Sequence, residues 1–151
     1  MLRPATQADQ TVITHIVRAA HINPTGLAWN RFLVAVEEGQ IVAVGQVKPH
    51  LDGSRELASI ATEPAKQGQG LARQLIGALL ARERGELYLM CRAPLVCFYE
   101  RFGFRRATPA ELSPMFRLAQ WTVRFWDGAV MKRPKPSAEP LQTIEDTRIT
   151  C

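Results

Sequence analysis

The chain has 151 residues, 46% of them hydrophobic and 22% charged, with a net charge of +5. That length and composition fit one soluble globular domain with its own core, and no apolar run is long enough to span a bilayer. The opening residues lack the charged-then-apolar pattern of a secretion signal, so a cytoplasmic location is the default expectation.

Taken in chain order, Leu2 to Thr6 reads as a short first strand, and Thr6-Gln7-Ala8-Asp9 as a helix start. Ile13, Ile16, Val17 and Ala20 then recur at helical spacing. Asn23-Pro24-Thr25-Gly26 breaks that helix and opens a loop or short helix reaching Asn30. Phe32 to Val36 and Gln40 to Val47 are β-rich runs joined by a tight turn at Glu37-Glu38-Gly39. A second turn containing Asp52-Gly53 leads to a strand over Glu56 to Thr62. Leu71, Leu75 and Leu79, with Ile76 and Leu80 beside them, mark an amphipathic helix from Leu71 to Arg82. Leu87 to Cys91 is a fifth strand, and Pro94 begins a helix that Gly103 stops. Residues 107–126 read as helical turns, and Val130 to Arg133 as a final strand. The tail from Pro134 to Cys151 has three prolines and no apolar periodicity, so it is expected to be disordered or loosely attached to a single domain over 1–133.

Between the fourth strand and the helix at Leu71 lies Gln67-Gly68-Gln69-Gly70-Leu71-Ala72. A glycine-rich turn opening a helix suits phosphate, because backbone N–H groups point outward and the helix dipole favours negative charge. The turn lacks the Gly-Lys-Ser/Thr ending of a nucleotide P-loop, and its glycines are too few for a dinucleotide fingerprint. It matches the Gln/Arg-x-x-Gly-x-Gly/Ala pattern at Gln67, Gly70 and Ala72. Downstream, Phe98-Tyr99-Glu100-Arg101-Phe102-Gly103-Phe104 follows at a spacing that fits a helix, a strand and a second helix. These two motifs, in this order, resemble those of the GNAT (GCN5-related N-acetyltransferase) family, and the resemblance runs from the first strand to Arg133.

The resemblance implies an α+β fold. Its sheet is mixed, mostly antiparallel and twisted, with six to seven strands flanked by helices and splayed between strands four and five. It also implies a transferase using acetyl-CoA, with CoA as product and no metal. Gln67, Gly68, Gln69, Gly70, Leu71 and Ala72 would hold the pyrophosphate. Ile60, Ala61 and Thr62 would pair with the pantetheine arm as an added strand does, with the Ile60 amide available to an oxyanion. Tyr99 would protonate the departing thiolate, and Phe98 would contact CoA or the core. Glu56 is the candidate base, with Glu63 and His50 as competitors. Each has a plain alternative: packing for Tyr99, a solvated surface for the acids. Arg92 departs from the family, where an Asn often contacts pantetheine, and Leu95 stands where a small residue is common.

The implied activity is N-acetyl transfer to a primary amine by direct attack on the thioester. The alternative is a non-catalytic acyl-CoA-binding sensor or regulatory module. Small amines, polyamines, protein lysines and protein N-termini all remain open as acceptors, as does an acyl donor longer than acetyl. Trp29, Trp121 and Trp126 lie in regions that vary with substrate, and equally suit core packing or a homodimer contact. The basic residues are spread along the chain rather than gathered in a stripe, so nucleic acid is not an expected partner, and nor is a membrane. Cys91 and Cys97 are expected as reduced thiols, and the scattered histidines form no metal-ligand pattern.

Overall fold

The structure is a computed structural model, described for residues 1–124 and 127–136, without the side chains of 122–124. Trp126 and nearly all of the tail expected to be disordered fall outside the described residues. The described chain is α+β, with seven strands and four α-helices. It forms two compact units, one of Met1–His50 with Arg55–Glu83, the other of Leu51–Ser54 with the chain from Arg84 onward.

The first unit holds β1 (Leu2–Pro4), α1 (Gln10–Ala19), β2 (Phe32–Glu37), β3 (Gln40–Pro49), β4 (Arg55–Thr62) and α2 (Leu71–Leu80). β1, β2, β3 and β4 pair antiparallel in sequence order. The β2–β3 hairpin closes through Glu38 and Gly39, both at positive φ (49° and 78°). A two-residue loop with that geometry matches the right-handed twist of the strands it joins.

A capping box opens the 3-10 turn Gln7–Asp9 that leads into α1. Asp9 Oδ2 accepts hydrogen bonds from the Thr6 amide at 2.7 Å and the Thr6 hydroxyl at 2.9 Å, while Arg3 grips the same carboxylate at 2.7 and 3.0 Å. The hydrogen bond from Arg3 is the main reason the Asp9 carboxyl sits well below the usual carboxylate range. Ile13, Ile16 and Val17, one stripe of α1, are buried against Phe32, Val34, Val44 and Ala61. Each such side chain contributes about 1.5–3 kcal/mol by leaving water. Leu71, Leu75, Ile76, Leu79 and Leu80 are the buried stripe of α2.

The second unit holds β5 (Leu87–Arg92), α3 (Val96–Glu100), β6 (Arg105–Arg106), α4 (Pro114–Arg124) and β7 (Gly128–Arg133). β7 pairs antiparallel with both β5 and β6. Tyr88, Leu112, Phe116 and Val130 form its core, with the Tyr88 and Phe116 rings stacked at 4.5 Å. The helical reading of residues 107–126 corresponds to a short 3-10 turn at Pro109–Glu111 followed by α4. Asp52 caps that helix by accepting from the Met115 amide at 3.1 Å. The two-residue β6 has no counterpart in the sequence reading, because it is too short to leave a periodic signal.

Candidate active site

β4 is not a regular strand. Val44 pairs with Ala61 and Gln46 with Ala58, so Gly45 alone on β3 faces both Ser59 and Ile60 on β4. This is a β-bulge, and its extra residue is Ser59, at φ 55°. Gly45 is what the bulge requires of β3. A Cβ there would lie 2.6 Å from Ile60 Cδ1 and 3.2 Å from Leu79 Cδ1, so the Ile60 side chain occupies the space that any larger residue would fill. The bulge breaks the regular ladder at Ser59 and Ile60 and re-aims their backbone groups. Ile60 and Thr62 are half-buried and Ala61 is buried.

Beyond β4, residues 67–70 form an exposed turn that ends at the N-terminus of α2. Gly68 and Gly70 have φ of 78° and 80°, left-handed values that glycine adopts without strain. A Cβ at either would meet nothing within 4 Å, so backbone conformation rather than crowding demands glycine here. Gly70 caps α2 with no side-chain hydrogen bond, and the first turn carries no acidic residue. The amides that open a helix have no intrahelical acceptors, and here no acidic residue of the first turn competes for them. The Gln67 side chain does not reach outward: its Nε2 donates to Thr62 O at 3.4 Å. The outward-facing donors of this turn are therefore its backbone N–H groups.

The same unit gathers polar side chains along one face of β3 and β4. Glu56 lies opposite Lys48 in the register and is buried. Its carboxylate meets His50 Nε2 at 2.7 Å, and both side chains are less than a tenth exposed. Two residues weighed separately as bases are thus one buried pair. Glu63, the other competitor, is half-buried just past β4, where its amide donates to Val42 O. Farther along the face, Gln46 is fully buried and donates to Ser59 Oγ at 3.1 Å and Gly26 O at 3.3 Å. Gln46 Oε1 is buried with no hydrogen-bond partner among the described residues.

In the second unit, Tyr99 sits in an aromatic nest. Its ring meets Phe98 edge-on at 5.1 Å and Phe104 at 6.3 Å. Burial, and secondarily the neighbouring Cys91, pushes the phenol up to about 12. It therefore stays protonated at neutral pH, the form a proton donor needs. Cys91 is a half-buried free thiol pushed up to about 11 by burial, which leaves it a poor nucleophile. Cys97, expected as a reduced thiol, is disulfide-bonded instead. Phe98 packs on Tyr99 and Phe102, and Arg92 is exposed. Trp29 packs against the core of the first unit, which is the plain reading of that residue, whereas Trp121 is 75% exposed.

Four residues escaped the sequence reading: Gln46, Lys48 and Ser59 of the polar face, and Gly45 opposite the bulge. One signal was present, since a glycine inside the apolar run Ile41 to Val47 marks a bulge or a close approach. Among the described residues no group of three or more His, Cys, Asp or Glu is placed to hold a metal, and no helix is long and apolar enough to cross a membrane.

The family profile described as the acetyltransferase (GNAT) domain matches residues 28–106. A comparison with curated protein sequences gave no match. Several solved structures share the fold. Rv2747 from Mycobacterium tuberculosis, solved in complex with CoA, is 18% identical with a TM-score of 0.70, over 89% of this chain and 98% of that one. N-acetylglutamate synthase from Neisseria gonorrhoeae, with CoA and N-acetyl-glutamate, is 19% identical at TM-score 0.72, over 91% of this chain but only 35% of that longer one. The ribosomal-protein-S18-alanine N-acetyltransferase from Escherichia coli is 23% identical at TM-score 0.65, over 95% and 99% of the two chains.

Proposed function

Because the chain belongs to the GNAT acetyltransferase family, we propose that it transfers the acetyl group of acetyl-CoA to a primary amine by direct attack on the thioester. One observation carries the reading: the bulge at Ser59-Ile60 leads, within a single unit, to the open Gly68–Gly70 turn at the start of α2. The turn offers backbone N–H groups to the pyrophosphate. Ile60, Ala61 and Thr62 offer a strand edge to the pantetheine amides, and the Ile60 amide is the donor for the oxyanion.

The reaction balances without a covalent enzyme intermediate. The acceptor ammonium gives up one proton to Glu56, which passes it to solvent. The freed amine forms the N–C bond, and the oxyanion collapses with cleavage of the C–S bond as the amine nitrogen passes its second proton to Glu56, by then deprotonated again. Tyr99 donates its proton to the departing thiolate and regains one from solvent. His50, bonded to Glu56 at 2.7 Å, holds the carboxylate in place. When bound, acetyl-CoA supplies the activated acyl carbon, and everything else comes from these side chains and backbone amides.

Isothermal titration with acetyl-CoA and CoA, followed by thiol release on a panel of amines, tests the proposal. Binding with acceptor-dependent thiol release is the expected result. A folded protein that binds neither CoA species would overturn it.

A further inference from the structure

The polar face of β3 and β4 holds two opposite charges that do not pair. Lys48 and Glu56 are direct cross-strand neighbours, an arrangement in which opposite charges ordinarily attract. Glu56 instead turns to His50 at 2.7 Å, and no ion pair joins it to Lys48. Among the described residues the Lys48 ammonium reaches only a carbonyl, Thr25 O, at a long 3.4 Å. The other lysines with described ion pairs meet carboxylates: Lys66 meets Glu37 at 2.8 Å and Lys132 meets Glu86 at 3.0 Å.

The surrounding chain is shaped to hold Lys48 where it is. Its side chain runs beneath Gly26, where a Cβ would fall 2.7 Å from Lys48 Cε and 2.9 Å from Nζ. Gly26 also takes a left-handed φ of 69°, so the loop is built around the ammonium at a glycine. Two residues along β3 from Lys48, a step of about 7 Å, Gln46 contacts Ser59 at the bulge. One face thus presents a cation and an anion side by side, close to the backbone amide assigned to the oxyanion.

Resting on the acetyltransferase reading above, the geometry points to a free α-amino acid as the acceptor, with its carboxylate on Lys48 and its amino group toward Glu56 and the bulge. A carboxylate replaces the long carbonyl contact of Lys48 with an ion pair charged on both sides. Protein lysines, protein N-termini and polyamines all lack a carboxylate adjacent to the reacting nitrogen, so they leave Lys48 unmatched.

The test compares several L-amino acids with their carboxamides and with the amines that lack the carboxyl group. Wild type, Lys48→Met and Lys48→Arg are assayed by thiol release and by titration of the CoA-loaded protein. Wild type is expected to favour the free acid over its carboxamide by about 10- to 100-fold, the worth of one charge-assisted hydrogen bond. Lys48→Met collapses that ratio through KM rather than kcat, and Lys48→Arg preserves it. Equal use of acid and carboxamide by wild type, or an unchanged ratio in Lys48→Met, overturns the assignment while leaving the acetyltransferase reading intact. Failure to bind acetyl-CoA sinks that reading instead. The titration reads the acid preference even where no member of the panel turns over.

Discussion

Replacing Gly45 by alanine probes the bulge at its tightest point. The added Cβ would stand 2.6 Å from Ile60 Cδ1 and 3.2 Å from Leu79 Cδ1. Carbon atoms in contact prefer about 3.5–4.0 Å, so the Ile60 methyl must retreat by about 1 Å. Holding Ile60 off its rotamer costs about 0.5–1.5 kcal/mol. Alanine in a strand interior offsets about 0.5–1 kcal/mol of this by restricting the unfolded chain. Gly45→Ala alone is therefore expected to shift stability by less than about 1 kcal/mol. The decisive comparison is with Ile60→Ala, which removes the colliding methyl. In that background Gly45→Ala should stabilise the protein by about 0.5–1 kcal/mol. The coupling between the two sites should then come to about 0.5–1.5 kcal/mol by urea denaturation with equal m-values. Thiol release adds a second reading: the single variant should lose more activity than stability, because Ile60 carries the proposed oxyanion amide. An identical effect of Gly45→Ala in both backgrounds would refute the argument that Gly45 exists to seat Ile60.

Two further substitutions carry expected outcomes. Tyr99→Phe should lower kcat by about 10²- to 10⁴-fold when chemistry limits turnover, with acetyl-CoA affinity retained, and full turnover in that variant would remove Tyr99 from the mechanism. The same phenol makes a pH statement. Its folded value of about 12 lies above the ordinary 10, so burial of the neutral ring stabilises fully below pH 10 and that contribution is lost as pH climbs toward 12. Through that window wild type should therefore lose stability relative to Tyr99→Phe, whose ring is buried and cannot ionise. Asp52→Ala should cost about 1 kcal/mol by uncapping α4. The Ser54 hydroxyl bond, first among several, holds the Asp52 carboxyl below its ordinary 3.8. A depressed carboxylate stabilises above its unfolded value, so the difference from wild type should be full at neutral pH and fade as acid titration passes below 3.8. A gap that widened in acid would contradict the cap.

Much of this protein is local, and local features are legible in a sequence. The stripe Leu71, Leu75 and Leu79 predicts a helix, and α2 buries those same side chains over Leu71–Leu80. Gly68 and Gly70 mark the turn before it, and both adopt the left-handed backbone that only glycine takes without strain. The hairpin is half inscribed: Gly39 suits the positive φ it takes, whereas Glu38 takes one that its residue type does not favour. The order of the two motifs sufficed for the family, because each rests on a few adjacent residues.

What tertiary structure decided is pairing across strands. Nothing in the spacing of His50 and Glu56 says that a turn will fold one carboxylate onto one imidazole at 2.7 Å. Ser59 reads as an ordinary strand residue until the register of β3 leaves Gly45 facing two partners. Lys48 is one lysine among several until the loop at Gly26 closes over it and Glu56 is seen to pair elsewhere. Periodicity reports which way a side chain faces within its own element. Which group from a distant part of the chain meets it is set by register and burial, and those exist only once the strands have come together.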